Sequence, residues 1–478
     1  MSNRCYSKLT TISNNIHSKR YITFRIHNFT LHLMSFRNYI SEGLFLNLSD
    51  LALQQCTAKS LKFLKETRSW SREQIDAYQN ERLRLLVKQA ATNVPYYRDL
   101  FAKIGLSHKD IQSKEDLYKI PIVDKSIMRE EGLERFTAIG FPKKGRVLQR
   151  SGGSTGEPIS FYTTKEENSM NLAAKLQTWY NTGYRLGDRY VKIANCERSN
   201  WKKKLQDFTN NSLLIPFSNV EEKDLRATLE KIENSKPLYI RSYPLPLYLL
   251  AQYKKRCNDF HHCPKYIFTT GSTLSEDYRE TIENAFGCKI IDSYSCEGNA
   301  NVSQSPQCNY YHVSEEFGIT EVLDKDNNPV TNGIGRVVST DLWNFAHPFL
   351  RYDTQDLVEV CEEPCPCGNP RKMIKRIMGR ECESFLQSNG KYFTVHDLTG
   401  FLKKYDNINE AIDAYQLVKK KDGTIAFRVI CNDQFTTESE QFLENYWSKQ
   451  FGKAVCVEKV DKIPLLNNNK RLTIIEEK

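Results

Sequence analysis

Two groups of residues could do chemistry by type and spacing. Cys308-x3-His312 and, further on, Cys365-x-Cys367 in "EEPCPCGNP" offer three thiolates and an imidazole. A Cys3His set is a closed tetrahedral shell for zinc, and with no position left for water the metal would be structural. The competing reading, free cysteines packed as small hydrophobes, stays open. The second group is "RSGGSTGEP", residues 150 to 158. Gly152, Gly153 and Gly156 let the backbone bend through positive φ, and Ser151, Ser154 and Thr155 add hydroxyls. Such a stretch suits a phosphate nest, and it also suits an ordinary turn. It has neither the Gly-Lys-Ser/Thr ending of a P-loop nor the G-x-G-x-x-G of a dinucleotide fold, so a phosphate role needs another pattern. Cys257, His261, His262 and Cys263 cluster as well, but read as an incidental loop.

The elements that must position these residues alternate. Helical spacing runs from Leu44 to about Leu100 and stops at Asn93-Val94-Pro95. "ISFYTT" and "RYVKIAN" read as strands on either side of the amphipathic "KEENSMNLAAKLQTWYNTGY". "ATLEKIENSKPLYIRSYPLPLYLLAQYKKR" reads helix, strand, helix, and "YIFTTGSTLSEDYRETIENAFGCKIIDSYSCEG" repeats the scheme about a turn at Thr270-Gly271-Ser272. This predicts α/β layers with largely parallel sheets. From about residue 310 the pattern becomes β-rich, with "YYHVSEEFGITEVLD", "GRVVSTDL" and "FLRYDTQDLVEVC" as consecutive strands.

The chain has 478 residues, 40% of them hydrophobic, which suits a folded protein of two or three domains. Its fourteen cysteines show no disulfide framework and point to reduced thiols in the cytoplasm. Of the formal charge of +10, residues 1–41 contribute six Lys/Arg and no Asp or Glu, leaving an unremarkable +4. A nucleic-acid partner therefore loses its main support. That first segment, 1–41, reads as a basic extension, either disordered or upstream of a start at Met34, though its composition also resembles a transit peptide. No apolar run is long enough to span a membrane, and a homodimer is compatible with the sequence.

Several separated pieces, in order, resemble the acyl-adenylate-forming enzymes, in the branch of phenylacetate-coenzyme A ligase and its capsular-polysaccharide-biosynthesis relatives. These are "NVPYYRDLF", "SGGSTGEP" with "ISFYTT", "FTTGSTLSEDYRETIENAFG", "DSYSCEG", "LRYDTQDL" and "IMGRE". The resemblance covers roughly residues 40–478. It implies a large N-terminal α/β region with a β-rich subdomain, residues 42–379, and a small mobile α+β C-terminal lid, residues 380–478. It also implies the activity: a small carboxylic acid and ATP give acyl-AMP and pyrophosphate, and the acyl group then passes to coenzyme A. Amide-forming transfer in surface-glycan assembly and a nucleotide-binding relative without turnover are the alternatives.

By the same resemblance, residues 151–156 would hold the β- and γ-phosphates, Glu297 the Mg²⁺, Tyr294 the adenine, and Asp356 the ribose hydroxyls. Arg380 would fix the hinge, and Lys470 in "NNNKRLTII" would bridge carboxylate and α-phosphate. The sequence departs from the family pattern at four places: Glu157 stands where Lys is common, the Tyr294-to-Glu297 spacing is one residue short, Gln355 replaces Gly, and no glycine precedes Lys470. Asp353 competes with Asp356 as the ribose carboxylate.

Overall fold

The computed structural model describes residues 36–151, 158–194, 201–217, 221–296, 301–386, 392–464 and 472–477. Chain entry comes earlier than the sequence suggested. A helix begins at Phe36, inside the segment 1–41 assigned to an extension, and Asn38 is buried with its amide donating to Leu186 O and Asp188 Oδ1, both at 2.9 Å. The boundary therefore lies at or before residue 36. The apolar residues that follow, interrupted by Asn and Ser, carry too weak a period to reveal this docking.

The long helix Arg72–Asn93 shows why local signals suffice elsewhere. Ser71 and Gln74 close a capping box at its start, and Leu83, Leu86, Val87 and Ala90 repeat at helical spacing on the buried face. Each buried leucine stabilises the fold by about 1.5–3 kcal/mol. Pro95 forces Val94 into extended geometry and ends the helix.

β1 (Arg146–Arg150) and β2 (Ser160–Thr164), on either side of the glycine-rich stretch in sequence, pair antiparallel. The main sheet follows. β3 (Tyr190–Ala194), β4 (Ser212–Pro216), β5 (Tyr239–Ser242), β6 (Tyr266–Thr270) and β7 (Lys289–Ser295) run parallel in the order β7-β6-β5-β3-β4. Helices Glu222–Ser235, Pro244–Cys257 and Glu276–Phe286 cross between successive strands and pack a core around Val191, Ile240, Ile267 and Ile290.

The sheet then continues antiparallel through β8 (Asn301–Ser305) and β9 (Cys308–Val313). Here the structure departs from the expected run of consecutive strands. β9 completes the main sheet, whereas β10 (Gly318–Leu323) opens a second one with β11 (Gly333–Asp341) and β12 (Tyr352–Val360). A turn closed by Phe317 N donating to Ser314 O separates them. Its buried Glu315 and Glu316 are held by Arg72 and Arg371. β13 (Met373–Ile374) returns to pair with β9, and β14 (Arg376–Arg380) pairs with β12.

β15 (Phe385–Leu386) and β16 (Tyr392–Phe393) lead into the C-terminal α+β unit. Its sheet is β17 (Ile412–Lys419), β18 (Ile425–Cys431), β19 (Val455–Lys459) and β20 (Ile474–Glu476), in the order β19-β18-β17-β20. Helices Val395–Lys404 and Thr437–Phe451 cover it, with Trp447 buried among Phe393, Phe401 and Phe427. No described helix is long and apolar enough to cross a membrane.

Candidate functional site

A cleft of about 350 Å³ opens at the carboxyl ends of β5, β6 and β7, the place where parallel sheets bind ligands. Its walls include Tyr243, the Gly271–Thr273 turn, Ser293–Cys296, Thr354, Asp356 and Arg380. Asp413, Tyr415, Leu472 and Thr473 close it from the C-terminal unit. Two glycines let the walls approach. Gly271 has φ +84°, and a Cβ there would lie 2.6 Å from Tyr243 Cε1; Gly379 has φ +102°, with Thr273 Oγ1 at 3.2 Å from such a Cβ.

Asp356 reaches the cleft because β12 bulges. Arg336 pairs with Leu357 but Val338 pairs with Asp353, so residues 354–356 stand opposite Val337 alone. Gln355 takes φ +61° to make that excursion, and Thr354 Oγ1 donates to Val337 O at 3.0 Å. The Asp356 carboxylate is then fixed from two sides: Tyr294 Oη donates to Oδ2 at 2.6 Å, and Arg380 Nε lies 3.6 Å from Oδ1. Burial and the facing carboxylate push the Tyr294 phenol well up, so it remains a donor. Tyr294 therefore orients Asp356 through its hydroxyl in addition to offering a ring. Asp353 is committed elsewhere, to Arg336 at 2.9 Å, which separates it from Asp356.

Beneath β7 lies a carboxylate that the sequence reading missed. Asp292 is buried, accepts from Thr269 Oγ1 at 2.6 Å and Tyr311 Oη at 2.7 Å, and burial pushes its carboxyl up. Its own N–H donates to Gln304 Oε1, which also accepts from Arg279. This network locks the end of β7, and so Tyr294, from below. The available signal was an acidic residue inside the apolar "KIID" strand, which is costly unless satisfied.

Ser151 proves to be a neck for the glycine-rich tip. It is buried, its N–H donates to Ile159 O and its Oγ accepts from Ile159 N–H, both at 2.9 Å. Gly152, Gly153, Ser154, Thr155, Gly156 and Glu157 lie outside the described residues, as do Glu297 and Lys470. Thus Tyr294, Asp356 and Arg380 are brought together, and Ser151 ties the end of β1 to the residue before β2.

The four metal candidates converge from β9 and the segment between β12 and β13. Cys308 Sγ lies 3.4 Å from Cys365 Sγ, which lies 3.2 Å from Cys367 Sγ, and His312 Nε2 is 3.3–3.5 Å from all three sulfurs. Ligand bonds of about 2.0–2.3 Å around one ion give edges only slightly longer than these, so the donor set and its geometry fit a tetrahedral metal such as zinc. Among the described residues Cys257 and Cys263 form no such group; His262 Nε2 instead sits 2.7 Å from Pro237 O.

The layered α/β region, the cleft at its strand ends and the capping C-terminal unit define the fold of the acyl-adenylate-forming coenzyme A ligases. A 2-hydroxyisobutyryl-CoA ligase, solved in the postadenylation state with an acyl-AMP, superposes with a TM-score of 0.69 at 18% identity, over 86% of this chain and 92% of its own. In sequence, the chain is similar to Protein CapK of Staphylococcus aureus, 25% identical over 74% of this chain and 78% of that protein. It is equally similar to the phenylacetate-coenzyme A ligase of Thermus thermophilus, 24% identical over 76% and 82%. No family model matches the chain.

Proposed function

We propose that this protein is an ATP-dependent, AMP-forming ligase that activates a small carboxylic acid and passes the acyl group to coenzyme A. The observation that carries this is the cleft at the carboxyl ends of the parallel strands, where Asp356 is held by Tyr294 and Arg380 under the C-terminal unit. Likeness to phenylacetate-coenzyme A ligases supports the acceptor.

In the first step a carboxylate oxygen attacks the α-phosphorus, the bond to the bridging oxygen breaks, and pyrophosphate leaves. In the second, the thiolate attacks the acyl carbon and AMP leaves. An ionised Asp356 accepts from two ribose hydroxyls while Tyr294 keeps it in register. The 151–156 tip, with Ser151 as its neck, cradles the departing phosphates through backbone N–H groups. Lys470 offsets the charge gathered between carboxylate and α-phosphate. Glu297 would hold a Mg²⁺, which would supply the neutralising charge that Glu157 does not. Cys308, His312, Cys365 and Cys367 hold a structural zinc away from this chemistry.

Acid-dependent ATP–pyrophosphate exchange tests the reading. Exchange is expected with one class of acid and lost in Lys470→Ala. Binding of ATP without exchange across a broad panel overturns it. Chromatography of the product with coenzyme A present separates a thioester from an amide.

A further inference from the structure

A second cavity, of about 250 Å³, adjoins the nucleotide cleft and shares Ser293, Tyr294 and Ser295 with it. It lies on one face of the main sheet beneath the helix Lys165–Tyr180, where a parallel α/β layer is ordinarily apolar. Part of its lining is apolar here: Trp179 stacks on Phe268 at 4.3 Å with rings 4° from parallel. Beside that pair stands a row of cations. Lys192 of β3 is in register with Arg241 of β5, and Arg241 with Phe268 of β6, so the three side chains share a face and neighbour one another. Lys175, one helical turn before Trp179, lines the same space.

Like charges on neighbouring strands repel, and a cation inside a protein is normally paired. Arg241 rests against the Trp179 ring, 5.8 Å from its centre, and among the described residues neither it nor Lys175 has a hydrogen bond or ion pair to a carboxylate. The acids in the lining serve other donors: Asp50 accepts from Ala58 N–H at 2.8 Å, and Asp207 from Ser212 Oγ at 3.0 Å. Desolvation, then the neighbouring Arg241 charge, lowers the Lys175 ammonium to about 8, as befits a cation without its counter-charge. The Lys175 side chain is exposed and lines the cavity.

We propose that this cavity receives the body of the acid substrate and that Lys175 and Arg241 bind a second anionic group on it. The substrate class is then a small acid carrying a second carboxylate, phosphate or sulfate remote from the reacting carboxylate. The inference rests on the ligase reading for the reacting end and on the cavity alone for the remote end.

The test uses the full chain and paired probes differing in one group: glutarate against butyrate, and 4-carboxyphenylacetate against phenylacetate. Thermal stability is recorded without ATP, and pyrophosphate exchange with it. The doubly anionic probes are expected to raise Tm and to be preferred at least tenfold in kcat/KM. In Lys175→Met and Arg241→Met both preferences fall towards one, and Lys175→Met alone raises the ligand-free Tm by relieving repulsion. A diacid-dependent Tm shift that the variants abolish, without exchange for any acid, supports this site and overturns the ligase reading instead. Exchange with equal or better use of the monoacids, preferences that survive in both variants, or no diacid effect in either measurement overturns the proposal.

Discussion

Strand β12 has the cleft at its beginning and the Cys/His cluster just past its end, and the two regions are built in opposite ways. The cluster is compact: four ligand atoms from two neighbouring segments lie within 4.8 Å of one another. It joins the segment after β12 of the second sheet to β9, the strand next to the edge strand β13 of the main sheet. The cleft is open, assembled from β5, β6, β7, the β12 bulge and the C-terminal unit, and its carboxylate faces space.

That contrast can be broken most severely at the cluster. Cys365→Ser is expected to lower unfolding stability by more than about 4 kcal/mol, because binding energy of a structural metal is folding energy. Urea titration measures the loss, and metal analysis should fall from one zinc per chain to none. Folded variant should keep its KM for ATP; a changed KM at unchanged stability would mean that the cluster belongs to the active site.

At the cleft the pattern reverses. Asp356→Asn is expected to reduce kcat/KM for ATP by on the order of tenfold to a hundredfold, about 1.5–3 kcal/mol for lost charge-assisted hydrogen bonds, with little change in Tm. Tyr294→Phe should share this effect more weakly, since it removes only the hydroxyl that positions the carboxylate.

A third test sharpens the contrast by pH. His347, in the segment feeding β12, is wholly buried beside Phe136 and Phe349, its Nδ1 3.5 Å from Thr137 Oγ1, and burial lowers it to about 3. Between that value and the ordinary one near 6.5 the unfolded chain holds the extra proton, so stability is lost as pH falls through this window. The expected loss from pH 7.5 to 5 is about 2 kcal/mol, and His347→Gln should flatten it in urea titrations at the two pH values. Smallest is Gln355→Gly, which relieves the left-handed strain and should stabilise by up to about 1 kcal/mol, read as a rise in Tm.

Much of this frame was legible in the sequence because it is local. The helix and strand alternation of residues 227–295 and the helical spacing that stops at Pro95 follow from pattern and turn chemistry, and the Cys/His pairs from ligand spacing. Asp356 was legible through family resemblance, and the unusual Gln355 beside it now has a backbone meaning. What stayed hidden depends on sheet order. Lys192 and Arg241 lie far apart in the chain, and only the neighbouring positions of β3 and β5 set them side by side. Asp292 looked like a strand residue until Thr269 and Tyr311 closed on it. The split between β9 and β10 rests on Glu315 and Glu316 finding distant arginines, which no local period records.

The return of the chain as β20 sets a tether on the cleft. Ile463 is buried, Gln416 Nε2 donates to Leu472 O at 2.8 Å, and β20 runs parallel against β17. Leu472 and Thr473, immediately before that strand, are residues of the cleft wall. The residues that lead into β20 thus also form a wall of the cleft.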